Sequence, residues 1–203
     1  TSILCRHMGQ GEFVIDTSIK PAGIEQRLRE LGSQRLLPYD HANYLYTLAE
    51  QGLNPPVIYD IGACVLHWTN EARRVWPDAQ YVLFEAMTSP EFLYKEGGYQ
   101  YSLGLLSDSD GRELDFYCNE VHPGGNSYYK ENEDINPQAP EYFNESHRRR
   151  LRTRSLDSVV RERGFPLPTL LKMDVQGAEL DILRGATETL KSVTDVILEC
   201  QVV

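Results

Sequence analysis

The absences in this sequence already exclude several classes of protein. No apolar run approaches the ~20 residues that a helix needs to cross a bilayer, so no membrane span is expected. The opening stretch, TSILCRHMGQGEF, has no charged-then-apolar order and is not expected to be a signal peptide. Cysteine is scarce: Cys5, Cys64, Cys118 and Cys200. No two of them stand in C-x-x-C spacing, which removes the usual zinc and dithiol frames. They read as reduced thiols of an intracellular, cytoplasmic protein. Basic residues are the minority, 20 Lys and Arg against 30 Asp and Glu. That balance opposes the basic footprint of a nucleic-acid binder, so no nucleic-acid partner is expected. There are no repeats and no low-complexity tracts. One local exception to the acidic balance is the segment His147 to Arg154, HRRRLRTR. It reads as a solvated lead into a strand, with a patch for a phosphorylated or acidic acceptor as the alternative.

What is present is a periodic pattern. Residues 22–54 look helical, with Ile24, Leu28 and Leu31 on one face and Tyr44, Leu45 and Leu48 recurring in the same way. From Val57 the order becomes strand, turn, helix, repeated. Val57–Ile61, Tyr81–Phe84, Tyr101–Leu106, Thr169–Val175 and Asp195–Cys200 are short apolar strands. Helices are expected through Glu71–Val75, Glu91–Lys95, Leu156–Arg163 and from Glu179 onward. This alternation predicts an α/β fold with a doubly wound, mostly parallel, Rossmann-like sheet. Leu114, Phe116 and Cys118 alternate on one face of a further half-buried strand, expected in an added antiparallel strand pair. The expected division is a mostly helical N-terminal segment, 1–54, packed on a main domain, 55–203. The main domain is expected to continue past Val203, because a sheet ending on an unpaired strand exposes an edge.

In such a sheet, ligands bind at the carboxyl ends of the strands. The residues there are Asp60-Ile61-Gly62-Ala63, Glu85, Leu106-Ser107-Asp108 and Asp174. Gly62 lets a backbone approach a ligand closely. The turn is not the G-x-G-x-x-G of dinucleotide sites. An acid such as Glu85 can accept two hydrogen bonds from a ribose diol. Asp60 and Glu85 on successive strands therefore suit an adenosyl ligand without phosphate. A second constellation, Lys172-Met173-Asp174-Val175-Gln176-Gly177-Ala178-Glu179, puts charges at the end of an otherwise apolar strand. Unpaired, such charges would be costly to bury. They are expected to be functional or to form a Lys–Asp or Lys–Glu pair.

The segments VIYDIGA, LFEA, LLSDSDG, TRSLDSVV and LLKMDVQGAELDILRGA, in that order across residues 57–200, resemble the FkbM-type methyltransferase family. The resemblance implies a class I methyltransferase fold and S-adenosylmethionine as methyl donor. It implies a hydroxyl acceptor on a sugar, glycan or other natural product. By position, Asp60, Gly62, Ala63 and Cys64 fall on the donor-binding turn. Glu85 and Ala86 fall on the ribose-binding acid, and Ser107 and Asp108 on the region beside the adenine. Three departures stand out: Cys64 where the family has Asn, Leu66 where it has Gly, and Gln176 where it has Glu. Leu66 is expected near the methionine end of the donor.

The resulting expectation is an O-methyltransferase. Asp174 is the first choice for the general base, kept ionised by Lys172 two residues before it on the same strand face. Glu179 is the second choice, or orients Lys172. His122 is a rival in the long loop 119–149, whose Gly125, Asn126 and Ser127 are expected to close over the acceptor. Mg²⁺ or Mn²⁺ held by Asp174 and nearby acids is a minority reading. No self-sufficient ligand cluster is legible, so no metal is expected. A noncatalytic domain that keeps the fold is the rival class, suggested by Cys64 and Leu66. Among enzymes, the rival acceptor is a protein or a different small molecule. Asn54-Pro55-Pro56 mimics an amino-methyltransferase motif but precedes the first strand.

Overall fold

A computed structural model describes residues 23–34, 39–119, 123–130, 132, 134, 137 and 139–199. The first described elements are two helices, α1 (Ile24–Ser33) and α2 (Tyr39–Glu50). β1 (Val57–Ile61) and α3 (His67–Val75) follow, then β2 (Gln80–Glu85), α4 (Glu91–Glu96) and β3 (Gln100–Leu103). The middle of the chain holds β4 (Leu105–Leu106), β5 (Glu113–Tyr117), the one-turn α5 (Ala139–Tyr142) and β6 (Arg148–Arg154). It closes with α6 (Leu156–Arg163), β7 (Leu170–Met173), α7 (Glu179–Arg184) and β8 (Asp195–Leu198).

Five strands form one all-parallel sheet in the order β3-β2-β1-β7-β8. The chain builds outward from β1 to β3, then returns to lay β7 on the other side of β1. The order therefore reverses between β1 and β7, which opens a crevice at their carboxyl ends.

Side-chain alternation along these strands makes two cores. Tyr59, Ile61, Val82, Phe84, Leu171 and Met173 face α6 and α7, meeting Leu156, Val159, Val160 and Ile182. Ile58, Leu83, Leu170 and Tyr81 face the other way, meeting Leu45 of α2, Trp68 and Ala72 of α3 and Tyr94 of α4. Each fully buried aliphatic or aromatic side chain contributes about 1.5–3 kcal/mol. α6 is capped as its sequence suggests. The Ser155 hydroxyl accepts from the Ser158 N–H, and Gly164 ends the helix in the left-handed region at φ +64°.

Two parts of the pattern differ from expectation. The run Tyr101–Leu106 is not one strand. At Gly104, φ +143° turns the chain, so β4 leaves the large sheet. It joins a second sheet, β4-β6-β5, in which β4 runs parallel and β5 antiparallel to β6. The added antiparallel pair thus carries a third, parallel strand. Its central strand is the basic segment itself, rather than a solvated approach to a strand. The even-numbered arginines share a strand face with Glu113 and Asp115. Arg150 bonds Asp115 at 2.9 Å, Arg148 pairs with Glu145 at 3.1 Å and Arg154 with Glu162 at 2.5 Å. Leu151 and Thr153 occupy the opposite face, Thr153 fully buried.

Candidate active site

The crevice is a cavity of about 630 Å³, part of it open to solvent. Its floor and sides come from four strand ends and one loop. They include Gly62, Cys64, Glu85, Gly104, Asp174 and Ser127, with Phe84, Leu105, Leu106 and Phe116 as apolar wall.

The turn after β1 is tightly determined. Gly62 sits at φ +80°, and a Cβ there would lie 2.0 Å from the Asp174 carbonyl oxygen. Only glycine lets the β1 and β7 turns approach this closely. Cys64 and Leu66 also take left-handed backbone, at φ 45° and 70°. Asn and Gly, which the family resemblance implies there, adopt that region most readily. Here the surroundings hold it instead. Gly62 and Ala63 donate to the Phe84 carbonyl, Cys64 N–H donates to Glu85 Oε2 at 2.9 Å, and the Tyr94 hydroxyl donates to the Cys64 carbonyl. Gly32 of α1 packs so closely on Val65 that a Cβ would meet its carbonyl at 2.7 Å. Leu66 does not stand at the cavity. Its side chain is buried with Leu45, Trp68 and Ala72. The left-handed backbone swings that side chain under the turn.

Glu85 is buried at the end of β2 and borders the cavity. Its Oε1 accepts from Met87 N–H at 2.8 Å, while its Oε2 holds Cys64. Burial raises its pKa above the ordinary carboxylate range, against the lowering effect of those backbone donors. Ala86 borders the cavity beside it. Ser107 and Asp108 stand outside the cavity wall. Ser107 is fully buried, 3.4 Å from the Tyr128 hydroxyl, and Asp108 pairs with Arg112 at 2.6 Å. Gly104, Leu105 and Leu106 border the space in their place.

Asp60 and Lys172 are in-register neighbours on β1 and β7 and lie beneath the cavity. Lys172 Nζ is 3.0 Å from Asp60 Oδ1 and donates to the Gly62 carbonyl at 3.2 Å. Thr69 of α3 donates to the other Asp60 oxygen. Burial works against the Lys172 ammonium, but the Asp60 and Asp174 charges outweigh it and raise its pKa. The lysine expected to serve Asp174 is therefore bonded to Asp60, because residues opposite each other in a parallel pair are closer than strand-end neighbours. Ala63 is likewise buried beneath the turn.

Asp174 borders the cavity and accepts from Gln176 Nε2 at 2.7 Å. Glu179 does not orient Lys172. Its Oε1 accepts from Val175 N–H at 3.0 Å and Gly177 N–H at 3.3 Å, closing the turn that presents Asp174. His122 lies outside the described residues. The loop that follows it does reach the cavity, through Pro123, Gly124, Asn126, Ser127 and Tyr128. It is pinned to the β7 side of the site. Ser127 Oγ donates to the Gln176 carbonyl at 2.8 Å, and the Tyr128 and Tyr129 hydroxyls both reach Asp181 of α7, at 3.1 and 2.7 Å.

One residue escaped the reading of the sequence. Glu199 follows β8, its N–H donating to the Met173 carbonyl at 3.0 Å, so its carboxyl stands beside that of Asp174. It is an acid at the carboxyl end of a strand, the rule that singled out Glu85 and Asp174, and it sits within the same run as Asp195–Cys200. Among the described residues, no group of three or more His, Cys, Asp or Glu side chains is arranged to hold a metal ion. Among them, too, no helix is long and apolar enough to cross a membrane.

Against known proteins, a family profile described as the methyltransferase FkbM domain matches residues 60–202. A hexuronic acid methyltransferase, AglP, of Haloferax volcanii is 43% identical over 49 residues, which are 24% of this chain and 20% of that protein. A solved structure of methyltransferase FkbM from Methylobacillus flagellatus KT superposes on 66% of this chain and 30% of its own, with a TM-score of 0.40 and 14% identity. The matched part is therefore less than a third of the length of either protein.

Proposed function

The chain belongs to the FkbM methyltransferase domain family, and from that premise we propose that it moves a methyl group from S-adenosylmethionine to a hydroxyl oxygen of a sugar or glycan. The observation that carries this reading is one cavity at the β1/β7 reversal with a carboxylate on each side, one buried and one half-buried. Glu85 stands on the β2 side and Asp174 on the β7 side.

The residues present fit the donor. Glu85 accepts from the Cys64 N–H on one oxygen and the Met87 N–H on the other, with the Ala86 N–H also close, and each oxygen carries two lone pairs. A ribose diol would supply two further donors and relieve the cost of burying this charge. Leu105, Leu106 and Phe116 offer an apolar slot for a flat base. Gly62 and Cys64 border the region left for the methionine end. When bound, S-adenosylmethionine supplies an electrophilic methyl on a sulfonium. The chain's own task is then alignment, exclusion of water and removal of one proton.

Asp174 is the group for that proton. It borders the cavity on the side covered by Ser127 and Tyr128, where an acceptor hydroxyl could lie between donor and carboxylate. The partly related hexuronic acid methyltransferase supports a sugar acceptor. The departures at Cys64 and Leu66 give little support to a noncatalytic domain, because the backbone there keeps the left-handed form that Asn and Gly favour.

The test pairs calorimetry with S-adenosylhomocysteine and a labelled-methyl assay using p-nitrophenyl β-glucuronide and related glycosides. Donor binding with label transferred to a ring hydroxyl is expected. A folded protein that binds no S-adenosylhomocysteine rejects the reading.

A further inference from the structure

Asp174 has a neighbour that the reaction just described does not use. β7 and β8 pair in register, Met173 opposite Leu198, and the ladder continues with Glu199 N–H on the Met173 carbonyl. One step on, Asp174 and Glu199 stand opposite each other at the ends of adjacent parallel strands, both half-buried, with their carboxyl groups side by side. Two carboxyl groups so placed repel when both are ionised, and one proton held between them removes that repulsion. Asp174 borders the cavity, whereas Glu199 is not one of its lining residues.

We propose that Asp174 and Glu199 share one proton, and that the pair, rather than Asp174 alone, is the proton acceptor for the hydroxyl. The proposal rests on the methyl-transfer reading above. Asp174 touches the substrate; Glu199 is a positioning residue that acts through it.

The charged groups around Glu199 fit this. Its pKa is pushed up to about 8, first by burial, then by the neighbouring Asp174 carboxyl, with Glu179 adding to the effect and Lys172 opposing it. Lys172 is the one cation among these groups, and it is engaged by Asp60 and the Gly62 carbonyl. It cannot neutralise both members of the pair.

The chemistry balances. With the shared proton lost, the pair carries two negative charges. The acceptor O–H breaks and its proton goes to Asp174, restoring the shared-proton form. The hydroxyl oxygen bonds the methyl carbon as the methyl–sulfur bond breaks, and that bonding pair stays on sulfur as a neutral thioether. The pair then returns its proton to solvent. A base titrating close to working pH combines availability with driving force better than an isolated carboxylate does.

The first measurement needs neither donor nor acceptor. Glu199→Gln is compared with the wild type by chemical unfolding from pH 5 to 9. A raised folded-state pKa means that the native protein holds a proton which the unfolded chain has released. Stability is then lost as pH rises from the ordinary carboxyl range through about 8. The wild type should show this loss and Glu199→Gln should not. Parallel curves overturn the pair.

The second measurement is the pH profile of label transfer to p-nitrophenyl β-glucuronide. The wild-type rate should rise with pH and level off near 8. Glu199→Gln should lose that break and run about 10-fold slower at pH 9, while Glu199→Asp restores a break. Normal transfer by the wild type with no break overturns the pair and leaves methyl transfer standing. Absence of both donor binding and transfer rejects the function itself, and the unfolding curves still decide whether Glu199 holds a proton. Loss of transfer in chelator with recovery in Mg²⁺ overturns the pair too, because two carboxylates on a divalent cation hold no common proton.

Discussion

Two pairs of charged side chains meet along β7 and at its end, and they are opposites. Asp60 with Lys172 joins unlike charges inside the sheet, almost without solvent contact. Asp174 with Glu199 joins like groups at the strand ends, one of them facing the cavity. Both arise from in-register neighbours in parallel strands, so register made both. What separates them is depth. Inside the sheet only a compensated pair can survive desolvation. At the rim a mismatch is tolerated when a proton or a ligand balances it, and that is where chemistry can be done.

The variant that tests the contrast most strongly is Asp174→Asn. It keeps shape and some hydrogen bonding but takes no proton. Turnover should fall by about 10²–10⁴-fold with donor affinity nearly unchanged. Parallel calorimetry and label transfer on one preparation check this. Near-normal turnover would move the base away from the rim pair.

Lys172→Met is the matching change in the inner pair, and it should cost stability rather than chemistry. Asp60 would be left buried beside Thr69 alone, a loss of about 3–5 kcal/mol. Adding Asp60→Asn should recover part of it in denaturant unfolding. If the single change unfolds nothing but abolishes transfer, the division between the two pairs is wrong.

Glu85 tests a third setting, a buried acid held by backbone donors. Alanine would orphan the Cys64 and Met87 N–H groups, so Glu85→Gln is the cleaner change. It should weaken S-adenosylhomocysteine by about 1.5–3 kcal/mol, as for hydrogen bonds to a charged group. A pH dependence should accompany this. Ribose hydroxyls favour the ionised carboxylate, so binding releases a proton and wild-type affinity climbs as pH passes upward through the raised pKa of Glu85. That slope should vanish in Glu85→Gln.

The smallest effect is expected at Cys64. Its left-handed backbone suits Asn better, so Cys64→Asn should raise stability by about 1 kcal/mol. A thermal melt checks the sign. A loss would mean that the thiol's packing outweighs the backbone preference.

Much of the fold was legible because its signals are local. The apolar strands from Val57, Tyr81 and Thr169, the turn at Gly62 and the helix from Leu156 are each written in a few adjacent residues. So were Glu85 and Asp174, which needed only the rule that ligands meet strand ends. β6 was harder. Its arginines look solvated in sequence, and only Glu113 and Asp115 across the β5 ladder make them a strand face. Leu66 misled for a related reason. The position reads as a glycine site near the donor, but the direction of its side chain depends on a positive φ that contacts from Phe84, Glu85 and Tyr94 impose on the turn.

By itself the sequence determined the repeating strand–helix pattern, the family it belongs to and which acids end the strands. These follow from periodicity and from the chemistry of single residues. The tertiary structure alone decided who meets whom. It gave Lys172 to Asp60 across the β1–β7 ladder, pinned the loop at Tyr128 and Tyr129 to Asp181, and set Glu199 beside Asp174. The reason is strand register. It is set by the summed packing of both cores, and a shift of one residue would turn every one of these side chains to the other face.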